Sequence, residues 1–233
     1  MAEDKQRIVT IDGPSGGGKS TVSRVLAAKL HFTYLDTGAM YRVVAFQCRE
    51  KGIDPADSQG LEALLAAIRI ELLPPAEGED DVRVLVDGRE VGSQLRTPEM
   101  GMLASKVSAL PQVRQTLTRL QQQIGAGGRI VAEGRDTGTV VFPRAAWKFF
   151  LDASPEVRAR RRAAQLRSKG EEVDEAHLLA QIVKRDRDDR ERSLAPLTAA
   201  PDALIIDSTG LLVEEVVRRM YEKILTTPCC GKK

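Results

Sequence analysis

The run Gly13-Pro-Ser-Gly-Gly-Gly18-Lys19-Ser20 constrains this chain more than any other segment. It satisfies G-x-x-x-x-G-K-[ST] at every fixed position, and readable elements flank it on both sides. Ile8 to Asp12 is a short β-branched run, the pattern of a buried strand. From Ser20 to Leu30, the residues Val22, Val25, Leu26 and Leu30 recur at helical spacing. A strand, a glycine-rich turn and a helix in that order wrap successive backbone N–H groups around an anion. The helix adds the positive end of its dipole. The segment therefore predicts a cradle for the phosphates of a nucleoside triphosphate, formed by Gly13, Pro14, Ser15, Gly16, Gly17, Gly18, Lys19, Ser20 and Thr21. Lys19 is the residue expected on the β- and γ-phosphates, and Ser20 the one expected on Mg²⁺.

The rest of the chain extends the strand-and-helix alternation. Phe32 to Asp36 reads as a brief second strand, and Gly38 to Lys51 carries Met40, Val43, Val44 and Cys48 at helical period. Between Ile68 and Val91 the period shortens towards two, with Ile68, Ile70 and Leu72 and then Val82, Val84 and Val86 alternating with other residues. Asp87-Gly88 signals a type I′ hairpin, and residues 74–81 form an acidic loop. This region predicts a small antiparallel meander inserted in an otherwise alternating chain. Helical stretches follow from Pro98 to Ile124 with a break near Pro111. Short apolar strands are expected at Arg129 to Ala132, Lys148 to Leu151 and Ala203 to Ile206. The expected fold class is α/β, with a five-stranded parallel sheet flanked by helices. In such sheets, ligands collect at the carboxyl ends of the strands.

Composition narrows the function classes. Aromatics make up only 4% and the formal net charge is +2, which argues against a platform for single-stranded nucleic acid. Cys48, Cys229 and Cys230 form neither a disulfide framework nor a metal-ligand pattern. No apolar run reaches membrane-spanning length, and residues 1–7 are polar rather than signal-like. The expected setting is the cytoplasm, with no nucleic-acid or membrane partner and a monomeric state. A guanine-specific switch protein would carry N-K-x-D, which is absent. Asp207-Ser-Thr-Gly210 matches only the loose D-x-x-G pattern and reads as the end of the last core strand. The length suits a small-molecule kinase.

Three further segments supply candidate acceptor residues. In Asp36-Thr-Gly-Ala-Met-Tyr-Arg42, Thr37 is a plausible helix N-cap and Arg42 can meet an anion, although a capped helix with a surface arginine fits equally. In Glu133-Gly-Arg135-Asp136-Thr-Gly138, Arg135 can grip a phosphate bidentately, and Asp136 can accept from an amine or hydroxyl. Leu178, Ile182, Arg185, Asp189 and Arg192 share one helical face that begins apolar and turns charged. Continuity of that face points its charged end inward, against the default of a solvated face with i,i+4 pairs. Arg158, Arg160, Arg161, Arg162 and Arg167 crowd one helix before Ser168-Lys-Gly170. They suit a nucleic-acid patch, a solvated basic face or a mobile lid over transferring phosphates. In a kinase, the lid weighs most, because charge in phosphoryl transfer spreads over several oxygens.

Taken together, these segments resemble the bacterial cytidylate kinases of the nucleoside monophosphate kinase family. The resemblance runs from Ile8 to about Leu225 and rests on Ile11-Asp-Gly-Pro-Ser-Gly-Gly-Gly-Lys-Ser20, Asp36-Thr-Gly-Ala-Met-Tyr-Arg42 and Gly134-Arg-Asp-Thr-Gly-Thr-Val-Val-Phe-Pro143. Phe150-Leu-Asp-Ala-Ser154, Lys184-Arg-Asp-Arg-Asp-Asp-Arg-Glu-Arg192 and Ala195-Pro-Leu197 extend it. It implies transfer of the γ-phosphoryl group of ATP to CMP or dCMP, with Mg²⁺ accompanying ATP. It also implies a core over 1–36, 100–157 and 171–225, a monophosphate-binding insertion over 37–99, a lid over 158–170, and a disordered tail over 226–233. Arg42 and Arg135 would hold the CMP phosphate, while Ser105, Arg114 and Asp136 would read cytosine. Thr37, Arg185, Asp189 and Arg192 would lie around the sugar and phosphates. Lys19, Arg135, Arg158 and Arg162 are the expected catalytic residues, and Ser20 and Asp36 the expected Mg²⁺ groups, Asp36 through water. Thr37 stands where relatives commonly carry serine, and the cysteine-lysine tail has no counterpart in the family pattern.

Overall fold

A computed structural model describes residues 6–73, 76, 82–168 and 170–227. The chain runs β1 (Gln6–Asp12), α1 (Lys19–Leu30), β2 (Thr33–Asp36), α2 (Thr37–Glu50), α3 (Ser58–Ala67), β3 (Ile70–Leu73), β4 (Arg83–Val86) and β5 (Arg89–Glu90). It continues through α4 (Pro98–Val107), α5 (Pro111–Ile124), β6 (Ile130–Gly134), β7 (Ala145–Asp152), α6 (Pro155–Arg167), α7 (Glu175–Glu191), β8 (Leu204–Asp207) and α8 (Val213–Thr226). These elements fall into two compact units, Met1–Leu35 with Gly125–Lys233, and Asp36–Ile124. Most of the acidic loop, Lys169 of the expected lid and Cys229 and Cys230 of the tail lie outside the described residues.

The first unit is built on a five-stranded parallel sheet in the order β2-β6-β1-β7-β8, flanked by helices. The strand leading into the glycine-rich loop therefore lies at the centre. Its neighbours pair with it in register, Asp12 opposite Gly134 of β6 and Asp12 opposite Phe150 of β7. A central strand covered on both faces must be apolar throughout, and Ile8, Val9 and Ile11 are all fully buried. Val22, Leu26 and Ala27 of α1 and Val217 and Met220 of α8 close over Val9, Ile11, Val131, Phe149 and Leu151. Each such side chain contributes about 1.5–3 kcal/mol on burial, and together they fix the level at which the strand ends emerge. A smaller cluster joins Ala159, Ala163 and Leu166 of α6 to Leu178 and Ile182 of α7.

The second unit contains the meander that the period-two pattern predicts. β3 pairs antiparallel with β4, placing Ile70 opposite Val86 and Leu72 opposite Val84, and β4 pairs with β5. Asp87 and Gly88 take φ of 51° and 79°, the paired positive values that a type I′ turn requires. The break in the following helical stretch falls between Val107 and Pro111, where proline opens α5. α3, by contrast, has no forerunner in the sequence reading. Asp57 caps it through the Gly60 N–H, and Leu61, Leu64 and Leu65 bury its inner face.

Candidate active site

The glycine-rich loop leaves β1 at Asp12 and enters α1 at Lys19. A side chain at Gly13 would collide with the Leu151 carbonyl oxygen, so glycine lets the loop fold back over β7. Gly18 is the N-cap of α1, has φ of 88° and supplies no side-chain cap. The first-turn N–H groups of α1 thus meet no capping side chain and no acidic side chain of that turn, which suits an incoming anion. Lys19 is only 7% exposed, and its Nζ donates to the Pro14 carbonyl at 2.6 Å. Burial drives its ammonium pKa down to about 7, helped by the positive charges of Arg135 and Arg185 and opposed by Glu133 and Asp12. Lys19 is therefore held poorly solvated where bound phosphates would restore its charge. The Ser20 hydroxyl donates to Glu133 Oε1 at 2.8 Å, joining the start of α1 to the end of β6.

Beside this loop, β6 delivers the Arg135-Asp136 segment, which leads into a single π-helical turn over Thr137–Val141. Asp12, the last residue of β1, anchors that turn. Its Oδ1 accepts from the Thr137 N–H and hydroxyl, and its Oδ2 from the Gly138 N–H, each at 2.8 Å. Burial raises the Asp12 carboxyl to about 6, although these hydrogen bonds from Gly138 and Thr137 pull the other way. Arg135 then donates through Nε to Asp189 Oδ2 at 3.0 Å. Arg192 lies 3.6 Å from Asp136 Oδ1 and 3.9 Å from Asp189 Oδ1, and its Nε donates to the Ala195 carbonyl at 2.6 Å. The charged end of the α7 face turns inward as its apolar half implies, with Asp189 only 3% exposed. Burial works to raise the Asp189 carboxyl, but the charges of Arg135, Arg185 and Arg192 outweigh it and hold it below its ordinary value. Arg185 reaches Ser15 Oγ at 3.5 Å. The guanidinium groups of Arg135, Arg185 and Arg192 outnumber the carboxylates of Asp136 and Asp189, which leaves positive charge for an anion.

The predicted residues Asp36, Thr37, Arg42, Ser105 and Arg114 lie in the second unit. Asp36, not Thr37, is the N-cap of α2: its Oδ1 accepts from the Ala39 N–H at 2.8 Å. Its Oδ2 receives Arg42 Nη2 at 2.8 Å. Both oxygens of Asp36 thus help to shape this helix start. Thr37 is the first helical residue and is buried. Ser105 lies on α4, with its carbonyl accepting from the Ser108 hydroxyl at 2.7 Å. Arg114 is buried on α5, donates to the Ser108 carbonyl at 3.0 Å and stands 5.7 Å from the centre of the Tyr41 ring.

Arg158 is placed differently from its expected setting. Expected on a mobile lid, it is instead 1% exposed beneath the glycine-rich loop, paired with Asp186 and donating to the carbonyls of Ala153 at 2.8 Å and Ser15 at 3.0 Å. A guanidinium so enclosed needs its full set of acceptors, and leaving would strip all of them at once. Arg162 is partly exposed and donates to Gln165 Oε1 at 2.6 Å. Arg161 binds Ser208, and Arg167 pairs with Glu175. Sequence reasoning passed over Asp12 and Asp186. The only signal for either was position, Asp12 directly before Gly13 and Asp186 one turn before the inward-facing Asp189 plus its neighbour Arg190.

A central parallel strand, a glycine-rich phosphate loop at its carboxyl end and a cluster of arginines beside it define a P-loop phosphotransferase. Comparison with known proteins sharpens the class. The cytidylate kinase family profile matches residues 9–226. The cytidylate kinase of Carboxydothermus hydrogenoformans is 49% identical over 216 residues, covering 93% of this chain and 96% of that protein. That of Vibrio parahaemolyticus is 48% identical over 217 residues, covering 93% and 95%. Among solved structures, an uncharacterized protein from Eubacterium ventriosum shares the fold, with a TM-score of 0.52, 12% identity and coverage of 95% of this chain and 99% of that one. The chain belongs to the cytidylate kinase family.

Proposed function

We infer that the chain transfers the γ-phosphoryl group of ATP to CMP, and also to dCMP, giving ADP and the corresponding diphosphate. The observation that carries this reading is the register of two neighbouring strands. Asp12 faces Gly134, so the phosphate loop and the Arg135-Asp136 turn leave the sheet side by side. One strand end supplies N–H groups and Lys19 for the donor, and the other supplies a guanidinium and a carboxylate for the acceptor. The acceptor phosphate is already largely dianionic near neutral pH, since its second pKa is about 6, so it attacks without a dedicated base. What the protein must provide is alignment and neutralisation of charge spread over the transferring oxygens.

The family implies a divalent cation with ATP, and we assign Mg²⁺ to it. The residues present fit such an ion: Ser20 and Glu133 bring hard oxygens to within one hydrogen bond of each other at the phosphate loop. When bound, Mg²⁺ would neutralise phosphate charge, with Ser20 holding it directly, Glu133 as a supporting carboxylate and Asp36 acting through water. Arg135 would hold the acceptor phosphate, Asp136 would accept from the cytosine amine, and Arg185, Asp189 and Arg192 would serve the sugar and phosphates. From the second unit, Arg42, Ser105 and Arg114 retain the CMP roles that the resemblance implies, with Thr37 beside them. Arg162 remains the proposed catalytic arginine of the expected lid, which would begin beyond the fixed Arg158. We place the enzyme in the cytoplasm as a monomer acting on two small nucleotides, without nucleic acid or membrane. Among the described residues, no helix is long and apolar enough to cross a bilayer.

An acceptor panel with coupled detection of ADP tests the reading. With ATP and Mg²⁺, CMP and dCMP should turn over fastest, ahead of UMP, AMP and shikimate. Faster turnover of any of those three would displace CMP as the substrate.

A further inference from the structure

The buried Arg158–Asp186 pair has a geometry that packing alone does not require. Arg158 lies on α6 and Asp186 on α7, yet the guanidinium also reaches the glycine-rich loop. Nε donates to the Ala153 carbonyl, Nη1 to Asp186 Oδ1 at 3.1 Å and to the Ser15 carbonyl at 3.0 Å, and Nη2 to Asp186 Oδ2. A well-packed apolar pair commonly serves stability as well as a buried ion pair does. It could not donate to Ser15. That carbonyl belongs to the same planar trans peptide as the Gly16 N–H, and the two point in opposite directions. Fixing the Ser15 oxygen on Arg158 therefore turns the Gly16 N–H away from α6. The loop packs closely on α6 here, since a Cβ at position 16 would lie 3.2 Å from the Arg158 Cβ.

The other end of the pair leads to the acceptor side. Asp186 follows Arg185, which reaches Ser15 Oγ, and precedes Asp189, which receives Arg135, by one helical turn. We propose that Arg158 and Asp186 are positioning residues that couple the acceptor face of α7 to the Ser15–Gly16 peptide of the phosphate loop. Occupancy of one substrate site thereby sets the aim of a backbone donor in the other. The idea rests on the two-nucleotide reading above, and it adds a reason for the loop to hold ATP productively only when an acceptor is present.

The test measures binding of a non-hydrolysable ATP analogue with and without saturating CMP, in the parent and two variants. Coupling between sites is typically about 5- to 150-fold in affinity, so CMP should shift the analogue's Kd at least about fivefold in the parent. In Asp186→Asn, which keeps size and shape, and in the double variant Arg158→Met with Asp186→Leu, that shift should fall to within about twofold of none. Thermal melting and circular dichroism confirm that the variants fold, and kcat should drop more than KM for CMP rises. An undiminished CMP effect in a folded variant overturns the proposal, as does its absence in the parent. Loss of the fold in both variants does so too, because the pair is then structural only. If the acceptor panel favours another monophosphate, that compound replaces CMP here, so failure of the substrate reading stays separate from failure of the coupling.

Discussion

Between Gly13 and Gly18, the groups that can meet an anion are backbone N–H groups, whereas on and just beyond α7 they are the guanidinium groups of Arg185 and Arg192, with Asp189 between them. The loop is held mostly from outside: β7 packs against Gly13, Arg158 holds the Ser15 carbonyl, and Ser208 donates to the Gly17 carbonyl at 3.2 Å, while Lys19 adds its hydrogen bond to Pro14. The α7 cluster is held by its own charges, each carboxylate answering a guanidinium. In the loop, then, chemistry and stability are borne by different atoms. In the α7 cluster, the same atoms bear both.

That contrast can be broken most sharply at Asp189. Removing one partner of a buried charge pair typically costs about 3–5 kcal/mol. Asp189→Ala should therefore lower the melting temperature substantially and abolish CMP turnover together, since Arg135 loses its carboxylate partner and Arg192 one of its two. A folded, fully stable Asp189→Ala protein would undo the comparison. Lys19 should behave in the opposite way. Lys19→Met removes a poorly solvated ammonium, so melting should hold or rise, while turnover falls by about 10²- to 10³-fold, the usual loss for one transition-state donor. Steady-state kinetics and melting on the same preparation give both readings.

A smaller effect should come from Asp12, which joins the strand before the loop to the turn after Arg135-Asp136. Its folded pKa of about 6 lies above the ordinary 3.8, so the folded state holds that proton more tightly. The stability it contributes is full below about pH 4 and is lost as pH rises through 6. Asp189, held low, works in the other direction: the stability it contributes is full above its ordinary carboxylate range and is lost as pH falls below it. Between pH 4 and 6, melting temperature should therefore decline with rising pH, and Asp12→Asn should flatten that slope. An unchanged slope in the variant would remove Asp12 from the account.

The same contrast explains what could be read from the sequence. The loop was legible because fixed spacing is itself the device: glycines, lysine and serine must stand at set positions for the backbone to close on an anion. The inward charge on α7 was legible because periodicity carries from Leu178 and Ile182 into Arg185 and Asp189. The central strand and the meander followed from apolar runs and from Asp87-Gly88. Arg158 was not legible, because it sits among Arg160, Arg161 and Arg162, and only its contact with Asp186 separates it from them. The N-cap went to Asp36 rather than Thr37 because one carboxylate could both cap α2 and pair with Arg42, a gain visible only once the helix is wound. The short α3 escaped because Leu61, Leu64 and Leu65 give too few turns of period to stand out.

Gly13 and Gly18 count equally in the sequence pattern, yet the structure gives them unequal tolerance. Gly13 is a matter of room as well as torsion, since its φ is 146° and any side chain meets the Leu151 carbonyl. Gly18 is a matter of torsion alone, since nothing lies within 4 Å of where its side chain would start. Asparagine and aspartate visit positive φ at a cost of about 1–2 kcal/mol or less. A catalogue of surviving loop variants would accordingly show a blank column at 13 and a sparse but populated one at 18. Two letters that look redundant in a motif thus record different facts, one about a neighbouring strand and the other about the chain's own bond rotations.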